Sequence, residues 1–193
     1  MATFDTQTRE AIIRNGYLLS TLTRERIWEE IKKSYSQVKY FPDYLTLLFE
    51  LDIAQYIFPK MKLNLDIIEC KNLVVYLANL LKDNDIQTLE KKMIFDLKIE
   101  SGVSSKVCHL IRLFDLSPTN AFSFYKDRVR CHVDNTTIED WSRINGLDKN
   151  LFSAFINYKP TVSSEDLMNK GFKGKDLGEE IKRLEIEKFS SLL

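Results

Sequence analysis

Few residues of this chain stand at spacings that chemistry requires. Asp83-Asn84-Asp85 is a carboxylate pair of the kind that holds magnesium for nucleotidyl transfer, but its flanks read as helices and Asp85 is equally a good N-cap. Gly171-Phe172-Lys173-Gly174-Lys175-Asp176 has the outline of a phosphate loop. A true P-loop follows a strand and carries Ser or Thr after the lysine, where Asp176 stands here. The segment is better suited to an RNA backbone. Gly171, Gly174 and Gly178 admit close approach, Lys170, Lys173 and Lys175 supply positive charge, and the amides opening the last helix favour an anion.

Lys126, Arg128 and Arg130 form a second basic cluster, directly after Phe122, Phe124 and Tyr125. Cations beside aromatic rings suit single-stranded RNA, whose bases stack while its phosphates pair. On a helix, residues two apart point in different directions, so the three cations need not share a face, and Phe122 and Tyr125 have core spacing. His109 and His132 have no aspartate after them, and Cys108-His109 are helix neighbours about 100° apart, which disfavours hydrolase and thiol chemistry. Cys70, Cys108 and Cys131 make no CxxC pair, so we expect free thiols and no metal site.

The elements that must position these groups are helical. Asp5 or Thr6 can cap a helix to about Leu19, and Thr23 caps one from Arg24 to about Ser34, with Glu29 four residues before Lys33. Pro42 fits the first turn of the next, and Phe58-Pro59 stops the short turn after it. Asn64 or Asp66 is expected to open an apolar helix over Ile67–Leu81. Further helices are predicted at Ile86–Leu97, Ser104–Phe114, Asn120–Val133, Thr137–Asn145, Lys149–Tyr158 and Lys175–Leu192, after a short one capped at Ser163. No stretch alternates with period two, and no repeat length recurs, so the fold class is all-α, an irregular multi-helix bundle of body plus C-terminal tail helices.

The 193 residues carry 28 Lys and Arg against 28 Asp and Glu, a net charge of zero that leaves only local patches for binding phosphate. No signal-peptide pattern or membrane-length apolar run occurs, which predicts a cytoplasmic protein.

Three segments in order carry a family resemblance. Phe4, Thr8, Ala11-Ile12 and Leu22-Thr23-Arg24-Glu25-Arg26-Ile27 come first, then Leu45 to Pro59 with its closing Phe-Pro, then Asp166 to Gly178. Together they resemble the C-terminal half of bacterial-type CCA-adding tRNA nucleotidyltransferases and their poly(A) polymerase relatives. The resemblance implies a neck remnant and body over residues 1–82, a helical body over 83–160, and a tail motif with terminal helix over 161–193. It implies tRNA as partner and supports Lys170, Lys173, Lys175, Gly171, Gly174 and Gly178 as RNA contacts, beside which Lys126, Arg128 and Arg130 stand as candidates on their chemistry alone. The family's head, its strand-borne magnesium carboxylates after Gly-Ser and its Glu-Asp-x-x-Arg templating motif have no counterpart here. The chain alone is therefore expected to be inactive, with Mg2+ and CTP or ATP used only with a separate catalytic head. A helical protein–protein adaptor without RNA affinity, and the RNA-binding arm of a poly(A) polymerase, are the alternatives.

Overall fold

The structure, a computed structural model, describes residues 5–66 and 70–193. Phe4 and the expected helix start at Ile67 lie outside the described residues. Among the described residues there is no strand, and the fold is all-α. The chain divides into two compact units between Ile111 and Arg112.

The first unit opens with α1, Thr6–Asn15, capped by the Asp5 carboxylate on the Thr8 amide at 2.9 Å. The expected continuation to Leu19 tightens instead into a 3-10 helix, Gly16–Thr21. Gly16 is buried here because a Cβ would come within 2.7 Å of Ile53 Cγ2, so only glycine lets this backbone pack so closely. Helix α2, Arg24–Gln37, starts at the Thr23 cap and buries Trp28 and Ile31. Its Glu29 pairs with Lys32 at 2.7 Å rather than with Lys33, because Lys32 also reaches Glu100 at 2.8 Å. Helix α3, Phe41–Glu50, has proline in its first turn, and α4 is the short Ala54–Ile57.

The apolar helix α5, Leu73–Leu81, is shorter than its pattern suggested. Asn72 caps it through Val74 and Val75, whereas Asn64 is spent tying the preceding segment to it, its amide donating to Leu80 O at 2.8 Å. The polar break Lys82–Asp85 is a turn within this unit, and it leads to α6, Ile86–Phe95, capped by Asp85. Helix α7, Ser101–Arg112, buries Cys108 and His109.

In the second unit a 3-10 turn, Leu113–Asp115, precedes α8, Ala121–Cys131. His132 adopts φ 53°, a left-handed stop that ends α8 before the expected Val133. Helices α9, Asn135–Ile144, and α10, Lys149–Asn157, are capped by Asp134 and Asp148 and pack on each other. The short α11, Ser164–Asn169, is capped by Ser163, and α12, Gly174–Ser190, packs on α8. Side-chain caps of this kind are worth about 1 kcal/mol each, which is why polar punctuation sets these boundaries. The core of this unit centres on Trp141, Phe155, Tyr158 and Phe189, all buried.

Candidate nucleic-acid interface

The tail turn joins α11 to α12. The Phe172 amide donates to Leu167 O at 3.1 Å and the Gly171 amide to Met168 O at 2.9 Å, the double bond of a Schellman motif. That motif needs a left-handed residue, supplied by Gly171 at φ 98°, and the chain enters α12 through Gly174 at φ 55°. Both glycines are thus required by the turn itself. Gly178 lies inside α12, and the space above all three glycines is open.

Lys170, Lys173 and Lys175 are exposed around this turn. Lys173 occupies the N-cap position with no side-chain cap bond, so the first-turn amides of α12 keep their donor capacity. Asp176 stands in that first turn and is not the cap. Lys175 pairs with Glu179 at 3.4 Å, an exposed pair of small energetic worth, while Glu180 is taken by Arg183 at 2.6 Å. Acidic side chains at Asp176 and Glu179 therefore offset part of the lysine charge around the turn.

What holds the tail in place is Glu185, which sequence reasoning missed. Its side chain is wholly buried. One oxygen accepts from the Thr161 and Val162 amides at 2.7 and 2.6 Å, the other from the Tyr158 hydroxyl at 2.6 Å. Burial first, then the bond to Glu185, pushes the Tyr158 phenol far above its ordinary range, so it stays a donor. Tyr158 also packs edge-on against Tyr125 and Phe189. A glutamate amid the many charges of α12 gives no local signal of this role.

The second cluster separates. Lys126 and Arg130 stand one helical turn apart on α8, and Lys126 lies over the Phe122 ring at 4.5 Å. Arg112 joins them, bonded to Asp127 at 3.3 Å, and Arg130 pairs with the same carboxylate. These residues and Phe124 line an open cleft of about 370 Å³. Arg128 turns the other way. Its guanidinium donates to Val133 O at 3.1 Å, to Ile156 O at 3.3 Å and to the Asn135 side chain, and it lies over Phe155. Arg128 thus ties α8 to α10, while Lys126, Arg130 and Arg112 border the open cleft, the two arginines held on Asp127. No residue pattern could have added Arg112, which comes from a different element.

Of the Asp83 and Asp85 pair, Asp85 serves as the helix cap that the sequence also allowed. Asp85 is committed to the α6 cap, accepting from the Gln87 amide at 3.1 Å and the Thr88 hydroxyl at 3.0 Å.

In the first unit, the Thr23-Arg24-Glu25-Arg26-Ile27 segment resolves into structural roles. Thr23 caps α2, Arg24 donates to Tyr56 O at 2.6 Å beside α4, and Glu25 pairs with Lys98 at 3.8 Å. Ile27 and Arg26 border an apolar groove with Leu19, Leu22 and Leu48. Arg26 is exposed and has no ion pair among the described residues. No helix among the described residues is long and apolar enough to cross a membrane.

No curated protein and no solved structure matches the chain. Residues 3–65, which run from α1 past the Phe58-Pro59 stop, match the family model described as the probable RNA- and SrmB-binding site of polymerase A. This part of the chain is thus similar to an RNA-binding region of polymerase A.

Proposed function

We propose that this chain is the tRNA-holding, C-terminal portion of a CCA-adding tRNA nucleotidyltransferase or a close homologue. A separate catalytic head would bind Mg2+ with CTP or ATP, and this chain would hold the acceptor arm so that the 3′ end meets it. Held geometry of this kind is worth several kcal/mol of a reaction barrier. The match of residues 3–65 to an RNA-binding region carries the reading. Supporting it are the exposed Lys173 beside free helix amides and the Arg112, Lys126 and Arg130 surface. The zero net charge of the chain favours a second reading, a protein–protein adaptor.

Retention of tRNA by the purified chain across salt separates the two. Phosphate binding should fall by about 0.7–0.9 log units per contact for each decade of salt. Absence of saturable tRNA binding at low salt would leave the adaptor. Incorporation of CTP or ATP by the chain alone would refute the division of labour.

A further inference from the structure

The first unit has a cleft of about 390 Å³ between the end of α2 and the start of α5 that none of the sites above uses. Its walls are aromatic. Tyr35, Phe41 and Tyr76 pack ring against ring with centroids 5.2–5.3 Å apart. At its rim stand Lys39 and Lys71, both exposed and without an ion pair among the described residues.

At its floor lies Tyr76, 1% exposed, whose hydroxyl has no hydrogen-bond partner among the described residues. A buried donor left unbonded is unfavourable, and folded proteins rarely leave one without a reason. Phenylalanine would fill the same space without that defect. Burial also pushes the Tyr76 phenol far up, so it stays a donor. Above it the half-buried Tyr35 ring is held at its tip, the hydroxyl donating to Cys70 O. The Tyr35 and Tyr76 rings lie 5.3 Å apart, and the Tyr76 hydroxyl is closed off in this structure, so a ligand reaches it only by side-chain movement at the cleft floor.

We propose that this cleft binds one nucleotide unit of single-stranded RNA. The base stacks against the aromatic wall and takes the Tyr76 O–H on an acceptor of its edge. Its phosphate rests between Lys39 and Lys71. The arrangement combines a ring face, a deep neutral donor and rim cations, which is the chemistry that unpaired bases require. It rests on the RNA-holding role proposed above and places a specific contact in the first unit.

The test titrates the full chain with CMP and separately with tRNA. Wild type should bind CMP saturably. Tyr76→Phe should weaken CMP about fivefold, the worth of one hydrogen bond, while leaving the thermal midpoint unchanged or higher. Lys39→Ala with Lys71→Ala should weaken both ligands and remove the salt dependence of CMP binding. Absence of CMP saturation, or affinity indifferent to all three substitutions, would overturn the site. Inorganic phosphate competing as well as CMP itself would reduce it to a lysine pair and overturn it too. If tRNA binds and CMP does not, the cleft fails and the RNA-holding role stands; if CMP binds and tRNA does not, that role fails and the cleft stands.

Discussion

Replacing Glu185 by alanine should release the tail from the second unit. Three donors converge on this buried carboxylate, two of them peptide amides at Thr161 and Val162 and one the Tyr158 hydroxyl. Each buried donor left unbonded costs about 1–3 kcal/mol. Water entering the vacated space recovers part of that, so the expected loss is about 3–5 kcal/mol. For a chain of this size that lowers the thermal midpoint by roughly 6–20 °C. Glu185→Gln keeps the shape and an oxygen for the two amides, and should cost only about 1–2 kcal/mol. Thermal unfolding of both variants gives the magnitude, and native-state hydrogen exchange gives the location. The Thr161 and Val162 amides should exchange much faster in the alanine variant. A Glu185→Ala protein within about 1 kcal/mol of wild type, or one with unchanged exchange at these two amides, would refute the reasoning.

Arg128→Ala should destabilise the second unit by about 2 kcal/mol while leaving the salt slope of tRNA binding intact, because its donors serve backbone carbonyls; an unchanged melt with a flatter slope would reverse that assignment. Substituting Lys170, Lys173 and Lys175 together by alanine should weaken tRNA binding without regard to base sequence and flatten the slope, with little change in thermal midpoint; equal slopes would reduce the turn to a helix connector. Burial raises the Asp134 carboxyl, but the hydrogen bonds from Thr136 and Thr137 outweigh it and bring it from 3.8 down to about 2. The folded value lies below the unfolded one, so this stabilisation is complete above roughly pH 4 and is lost as pH falls through the folded value. Asp134→Asn should therefore melt earlier than wild type near neutrality and converge with it in acid, whereas a constant gap at every pH would contradict the linkage.

Helix content and most helix starts were legible in the sequence because their causes are local. Thr23, Asp85 and Ser163 cap the helices that follow them, and each cap needs only an amide two or three residues away. The helix capped at Ser163 was legible for the same reason, whereas Gly171, read as a point of close approach to RNA, serves the left-handed stop of that helix. Where several local causes competed, the surroundings chose. Asn72 rather than Asn64 opens α5 because Asn64 bonds to the far end of that helix. The direction of Arg128, away from Lys126 and Arg130, follows from carbonyls at Val133 and Ile156 that come near only when α8 and α10 pack. Glu185, Arg112 and the unbonded Tyr76 hydroxyl belong to the same class. Their meaning lies in groups brought from distant parts of the chain, and a linear sequence of charges and rings carries no record of which donors a folded backbone will leave facing them.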